Sequence, residues 1–254
     1  MTLMNYAMTD RRAQTSSDAQ FADELETFFG ASPGGNVDKL RNFAKFVPRQ
    51  SLSLFLAKHA LFQQVLGVHG HIIECGVFLG GGLMTWAQLS AIFEPVNHIR
   101  RIVGFDTFDG FAGLDEKDRG DNTDYAVLGG LRASVEDDIL EASRLYDLNR
   151  PVGHIPRVEL VGGDAVETIP HYLEANRHLV VALLYLDFDL YAPTKAALET
   201  FLPRMPKGAI LAFDELNQAQ WPGETLAVLE TIGLRNLRIQ RFPFVPQLSY
   251  AVLE

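Results

Sequence analysis

His71-Ile-Ile-Glu-Cys-Gly-Val-Phe-Leu-Gly-Gly-Gly82 is the stretch on which the fold turns. It reads as a short strand that carries an acid near its end and runs into glycines, and Leu83 to Phe93 then reads as a helix. The same arrangement follows downstream. Arg101 to Asp106 is a second strand, and Val158 to Val161 a third, with Gly162-Gly-Asp164 and a helix to about Asn176 after it. Leu179 to Leu186 is a fourth and the most apolar, and it ends in Asp187-Phe-Asp189. Pro193 sits in the first turn of the next helix, where proline is tolerated. Ala209 to Phe213 is a fifth strand, ending in Asp214-Glu215.

Strands alternating with helices predict an α/β fold with a mainly parallel central sheet of Rossmann-like type. Two extended stretches around Phe242 to Pro246 predict a closing hairpin that adds an antiparallel C-terminal strand. Such sheets bind ligands in the crevice beyond the carboxyl ends of their strands. Here an acid stands at or just past each end: Glu74, Asp106, Asp164, Asp187 and Asp214. Buried carboxylates need partners, so five on one rim point to ligand chemistry rather than to packing.

Outside the sheet, residues 1–17 are polar and aperiodic and are expected to be flexible. Residues 18–69 read as a helical N-terminal extension, with one helix over Asp18–Phe29, a break at Ala31 to Asn36 and a second helix from about Ser51 to Leu66. Residues 70–254 form the main domain. Within it, residues 109–157 make a long excursion with a helical part near Ser134–Tyr146, which is expected to act as a lid.

The 254 residues, 47% of them hydrophobic, allow a sizeable core without staples, and Cys75 alone cannot form an internal disulfide. No signal peptide or membrane helix is expected, because the longest apolar run is Leu179–Leu186. The formal net charge of −10 speaks against nucleic acid as a partner. Together these features predict a cytoplasmic enzyme that binds neither nucleic acid nor membrane.

The glycine turn after Glu74 lets backbone approach a ligand closely, with Gly76, Gly80 and Gly81 at the mouth of a helix N-terminus. Its spacing is not G-x-G-x-x-G, so the dinucleotide fingerprint is absent. It resembles instead the acid-x-Gly-x-x-x-Gly turn of methyltransferases, where the acid meets the cationic methionine end of the cofactor. Asp106, followed by Thr107 and Phe108, is placed to accept the hydroxyls of a ribose, or to cap a helix. Asp164, before Ala165, is placed equally for an adenine amino group or a helix cap.

Asp187, Asp189, Asp214 and Glu215 are hard oxygen donors on adjacent strand ends, a set that suits Mg²⁺ or another divalent cation. A metal beside a substrate hydroxyl lowers its pKa, and a neighbouring carboxylate can take the proton. His69 and His71 lie at the wrong end of their strand and are read as structural or exposed. Cys75 reads as core, and Arg119, Tyr125 and Arg132 as solvated surface.

At these residues the chain resembles the macrocin O-methyltransferase family, class I metal-dependent enzymes that methylate sugar hydroxyls in antibiotic biosynthesis. The resemblance runs from about Val47 to Leu229. Its carriers are Ile73–Val77 with Gly80-Gly81, Gly104–Phe108 with Gly110-Phe111, Gly163-Asp164 through Thr168-Ile-Pro170, Asp187–Tyr191 with Thr194, and Asp214.

The resemblance implies that Glu74, Asp106 and Asp164 bind S-adenosyl-L-methionine, with Gly76, Gly80, Gly81, Thr107, Phe108 and Ala165 in the same cradle and Ser134 near the adenine. It implies that Asp187, Asp214 and Glu215 hold Mg²⁺ and that Asp187 or Asp189 is the general base. It implies a deoxysugar acceptor, as in a family member that methylates a nucleotide-linked rhamnose at its 3-hydroxyl, and a homo-oligomer. Two departures stand out. The family has Asp-Asp where this chain has Asp214-Glu215, and a polar or small residue where it has Phe188.

Two other readings compete. Asp187-Phe-Asp189 matches the D-x-D pattern of metal-dependent glycosyltransferases, a scheme that leaves the glycine turn without a job. A non-catalytic nucleotide-binding protein on a Rossmann-like fold is the other, because fold alone never settles function.

Overall fold

The computed structural model describes residues 15–120 and 126–254. The expectation for the first 17 residues therefore falls largely outside the described residues, as does the reading of Tyr125. Contacts along the chain divide it into two compact units, Met1–Leu54 and Phe55–Glu254.

The first unit contains α1 (Ser16–Ala31), α2 (Asn36–Arg41) and the start of α3 (Arg49–Val65). Thr15 opens α1 with a capping box: its N–H and hydroxyl both donate to Asp18 Oδ2 at 2.7 Å. Phe46 gathers Phe28 and Phe29, with ring centroids 5.5 and 5.1 Å away. The short α2 is absent from the sequence reading. Its Asp38 carboxylate accepts the Gly35 N–H at 3.1 Å, a local bond that no apolar periodicity announces.

The second unit starts at Phe55, inside α3. It carries β1 (His71–Cys75), α4 (Gly81–Phe93), β2 (Ile102–Asp106), α5 (Glu136–Leu148), β3 (Val158–Gly162), α6 (Ala165–Ala175) and β4 (Val181–Leu186). α7 (Tyr191–Phe201), β5 (Ile210–Phe213), α8 (Pro222–Thr231), β6 (Gln240–Phe242) and β7 (Val245–Val252) complete it. The seven strands form one sheet in the order β3-β2-β1-β4-β5-β7-β6. β1 to β5 are parallel, and the β6–β7 hairpin adds antiparallel to β5, as the tail predicts. This is a Rossmann-like α/β architecture with a mainly parallel sheet.

Strand ends shift by a residue or two for local reasons. Leu179 N–H bonds the Asn176 carbonyl at 2.9 Å, so it closes a turn and β4 begins at Val181. Ala209 is held likewise by Pro206, and β5 begins at Ile210. α5 starts at Glu136, where three acids in its first turn suit the positive end of the helix dipole. α8, opened by Pro222, has no counterpart in the sequence reading.

All six residues of β4 are buried, which explains its unbroken apolar run at the centre of a sheet covered on both faces. On one face Ile73, Val103, Leu184, Leu211 and Phe213 pack with Ile169 of α6, Leu198 of α7 and Val228 of α8. The other face turns Tyr185 toward Trp86 of α4, with ring centroids 5.9 Å apart. Strand order reverses between β1 and β4, so their carboxyl ends open the crevice where such sheets bind ligands. Among the described residues no helix is long and apolar enough to cross a membrane.

Candidate functional site

Backbone bonds stitch the strand ends at that crevice. Asp187 N–H donates to the Cys75 carbonyl at 2.8 Å, and Asp214 N–H to the Leu186 carbonyl at 3.0 Å. Gly76 turns away at φ +92°, and a Cβ there would stand 1.9 Å from the Asp187 carbonyl oxygen. The glycine is therefore needed for the β1 and β4 ends to close together.

Asp187, Asp214 and Glu215 each turn one carboxylate oxygen into a common space, and the three oxygens lie within 4.8 Å of one another. The structure thus brings together the three residues expected to hold a metal. Burial and then the Asp214 charge hold the Asp187 and Glu215 carboxyls far above the ordinary range. Asp189 is pushed up to about 8, by burial and then by Asp214 and Asp118. It sits next to the cluster at φ +63°, a left-handed conformation that is uncommon for a non-glycine residue.

Glu224, fully buried on α8, joins this acidic group. Its Oε1 accepts the Glu215 N–H at 3.1 Å, while Oε2 has no partner, nor does Oε2 of Glu215. Crowded, half-satisfied carboxylates are costly unless a cation compensates them. The donor set is all oxygen, which fits a hard divalent ion.

Glu74 has partners other than the expected methionine end of a cofactor. It is 1% exposed, and its Oε2 accepts from Lys58 Nζ at 2.8 Å and from Trp86 Nε1. Gly82 completes the fit, since a Cβ there would stand 2.3 Å from Glu74 Oε1 and 2.4 Å from Lys58 Nζ.

Asp106 holds the glycine turn. Its Oδ2 accepts Val77 N–H at 2.8 Å and Phe78 N–H at 2.9 Å, and its Oδ1 accepts Phe108 N–H at 2.8 Å. Val77, Phe78 and Phe108 thus share one carboxylate, and both phenylalanines take positive φ, at 48° and 54°.

Thr107 and Asp164 line one cavity of about 460 Å³ with Gly110, Phe111, Gly129 and Arg132. Asp164 is exposed and caps α6 through Val166 N–H at 3.0 Å, so the capping half of its two readings is present. Ala165 is buried behind it. Ser134 is exposed, with its hydroxyl 3.5 Å from the Phe108 carbonyl. Gly80 caps α4 at φ +82° against Ile139, while Gly81 faces open space.

His71 lies at the far end of β1, where burial and then Arg101 lower it to about 4, and His69 is exposed. Cys75 is fully buried, and burial pushes its thiol up. Arg119 is exposed, and Arg132, also exposed, pairs with Asp109 at 2.5 Å.

Sequence reasoning missed Lys58, Asp118, Tyr185 and Glu224. For Lys58 a signal existed: it shares the apolar stripe of α3 with Leu61, Phe62 and Val65.

The family described as Macrocin-O-methyltransferase (TylF) matches residues 56–228. No curated protein sequence matches. Among solved structures, "CalS11, Calicheamicin Methyltransferase" is 36% identical over 96% of both chains, with a TM-score of 0.91. The apo structure of CalS11, described as a TDP-rhamnose 3'-O-methyltransferase, is 36% identical over 96% of this chain and 99% of its own, with a TM-score of 0.83. The O-methyltransferase NovP shares the fold at 21% identity over 78% of both chains, with a TM-score of 0.62.

Proposed function

The chain belongs to the macrocin O-methyltransferase family, and from that premise we propose a division of labour along the strand ends of its sheet. It is an S-adenosylmethionine-dependent O-methyltransferase of the type that acts on sugars in antibiotic biosynthesis. The glycosyltransferase and non-catalytic readings give way to that membership. In our reading the methyl acceptor is a hydroxyl of a deoxysugar, and the resemblance to a TDP-rhamnose 3'-O-methyltransferase supports a nucleotide-linked one.

The proposed cofactor cradle comprises Glu74, Gly76, Gly80, Gly81, Asp106, Thr107, Phe108, Ser134, Asp164 and Ala165. Asp106 acts first on the loop, by fixing the Val77 and Phe78 N–H groups. Glu74 supports the same turn from below through its pair with Lys58. Bound S-adenosylmethionine supplies a methyl group that passes to the sugar oxygen as the carbon–sulfur bond breaks, leaving S-adenosylhomocysteine.

Asp187, Asp214 and Glu215 are the proposed holders of Mg²⁺ or another divalent cation. Such an ion, when bound, orients the sugar hydroxyl and lowers its pKa. Asp189 stands outside the three converging oxygens and, once a bound cation has offset the neighbouring charge that holds it protonated, is the carboxylate left to accept the hydroxyl proton. Alignment of oxygen, methyl carbon and sulfur is the main demand of the transfer, and the stitched ends of β1, β4 and β5 supply a rigid base for it. We place the enzyme in the cytoplasm as a homo-oligomer.

The observation that carries the metal reading is the convergence of three carboxylate oxygens at a place where Oε2 of Glu215 and Oε2 of Glu224 are buried without a partner. Mass spectrometry of nucleotide deoxysugars incubated with the enzyme and S-adenosylmethionine tests the whole proposal. One added methyl group, lost on chelation with EDTA and restored by Mg²⁺, is expected. Full activity in EDTA would reject the metal, and no methylated product across the panel would reject the acceptor class.

A further inference from the structure

Five side chains form one buried polar chain that ends on the acidic cluster. Lys58 Nζ pairs with Glu74 Oε2 at 2.8 Å, and Trp86 Nε1 donates to the same oxygen. Lys58 Nζ also stands 3.9 Å from the centre of the Tyr185 ring and 4.9 Å from that of Trp86. The Tyr185 hydroxyl then donates to Asp214 Oδ1 at 2.7 Å. Trp86 and Tyr185 are fully buried, and Lys58 and Glu74 are 2% and 1% exposed. Sheet register explains the assembly, because Glu74 of β1 and Tyr185 of β4 lie opposite one another and Tyr185 faces Ala212, two residues before Asp214.

Burying an ammonium, a carboxylate and a phenol together is expensive, and well-packed apolar residues fill such space at lower cost. The chain leads to one accessible end, the Asp214 carboxylate. Tyr185 holds Oδ1, so the Asp214 side chain cannot rotate freely, and a carboxylate oxygen of Asp214 faces those of Asp187 and Glu215. A hydrogen bond of this kind orients a ligating carboxylate. The Lys58 ammonium over the ring polarises the phenol and makes it a firmer donor. Glu74 and Trp86 in turn fix the ammonium, with Gly82 leaving the space they need.

We propose that Tyr185 is the positioning residue of the metal site and that the Lys58–Glu74–Trp86 cluster locks its ring in place. The inference rests on the reading that Asp187, Asp214 and Glu215 hold a divalent cation.

The test is titration of Mn²⁺ into the full-length protein, followed by electron paramagnetic resonance, for the unmodified enzyme, Tyr185→Phe and Lys58→Gln. Tyr185→Phe removes one oxygen and is expected to weaken Mn²⁺ binding on the order of tenfold to a hundredfold. The Mg²⁺ concentration for half-maximal turnover should rise by the same factor, while S-adenosylhomocysteine affinity stays the same. Lys58→Gln keeps a donor toward Glu74 but removes the cation from the ring. It should weaken Mn²⁺ binding on the order of threefold, a fraction of what a buried cation–π contact is itself worth, and it carries the test if Tyr185→Phe does not fold. Unchanged Mn²⁺ affinity in either folded variant overturns the inference. For Tyr185→Phe, a parallel loss of S-adenosylhomocysteine binding also overturns it, because that marks general loosening. If the unmodified enzyme itself binds no Mn²⁺, the metal reading has failed, and the inference falls with it.

Discussion

Gly76 and Asp187 approach so closely that no side chain fits between them: a Cβ on Gly76 would stand 1.9 Å from the Asp187 carbonyl oxygen. One residue follows β1 and the other follows β4, so this contact joins the proposed cofactor turn to the proposed metal site. Gly76→Ala meets both the clash and a φ of +92°. It should cost at least about 2 kcal/mol of stability, the scale of a strained left-handed residue with a forced backbone shift. Urea unfolding measures this, and a cost below about 0.5 kcal/mol would show that the strand ends separate easily.

The acidic cluster makes stability depend on pH with a definite sign. Asp187, Asp189 and Glu215 have folded-state values raised above their unfolded ones, Asp189 to about 8. Over that interval the folded state holds more protons than the unfolded state, so stability falls as pH rises. For Asp189 the window runs from about 4 to about 8. The melting temperature of metal-free protein should therefore fall as pH rises from about 6 to about 8, and saturating Mg²⁺ should flatten the fall. A metal-free melting temperature that climbs over this range contradicts the assignment.

Lys58 and Glu74 are worth more as a pair than either alone. Lys58→Met leaves the Glu74 carboxylate buried with Trp86 as its remaining named donor, and should cost about 3–5 kcal/mol. Lys58→Met combined with Glu74→Gln should recover more than half of that loss in chemical denaturation. Equal losses in the single and double variants would mean that the ion pair is not the reason.

Asp118 ties the excursion over residues 109–157 to the start of α7. Its Oδ1 accepts the Tyr191 N–H at 2.6 Å at the start of α7, and Gly223 is bare where a Cβ would stand 2.3 Å from that oxygen. Asp118→Ala should cost about 1–2 kcal/mol, as loss of a helix cap does. It should also speed limited proteolysis within the excursion if, as proposed, this segment is a lid anchored through Asp118. Cleavage at an unchanged rate would argue that the excursion is held elsewhere.

Much of this was legible in the sequence because strand ends announce themselves. Asp187, Asp214 and Glu215 follow apolar runs directly, and parallel strands bring such ends to one edge, so their convergence followed from order alone. What stayed hidden were partners supplied by distant elements. Glu74 reads as an acid beside a glycine turn, but its partner Lys58 lies on α3, and nothing in the spacing joins them. Asp106 reads as a ribose ligand or a cap, and the spacing does not show that the Val77 and Phe78 N–H groups of the glycine turn bond its Oδ2. Glu224 lies on α8, a helix the apolar pattern did not reveal, and its bond to Glu215 depends on a tertiary fold-back. Tyr185 was absorbed into the apolar run of β4, where its hydroxyl made no mark on the hydrophobic pattern.

The central claim is that one rim serves two ligands through separate residues, and calorimetric titration of S-adenosylhomocysteine beside a turnover assay tests it most directly. Asp187→Asn should abolish methyl transfer while leaving S-adenosylhomocysteine affinity within about twofold, whereas Asp106→Ala should weaken that affinity at least about tenfold, the scale of a lost charged hydrogen bond. The reverse order, with Asp187→Asn losing the cofactor product and Asp106→Ala retaining it, would contradict the account.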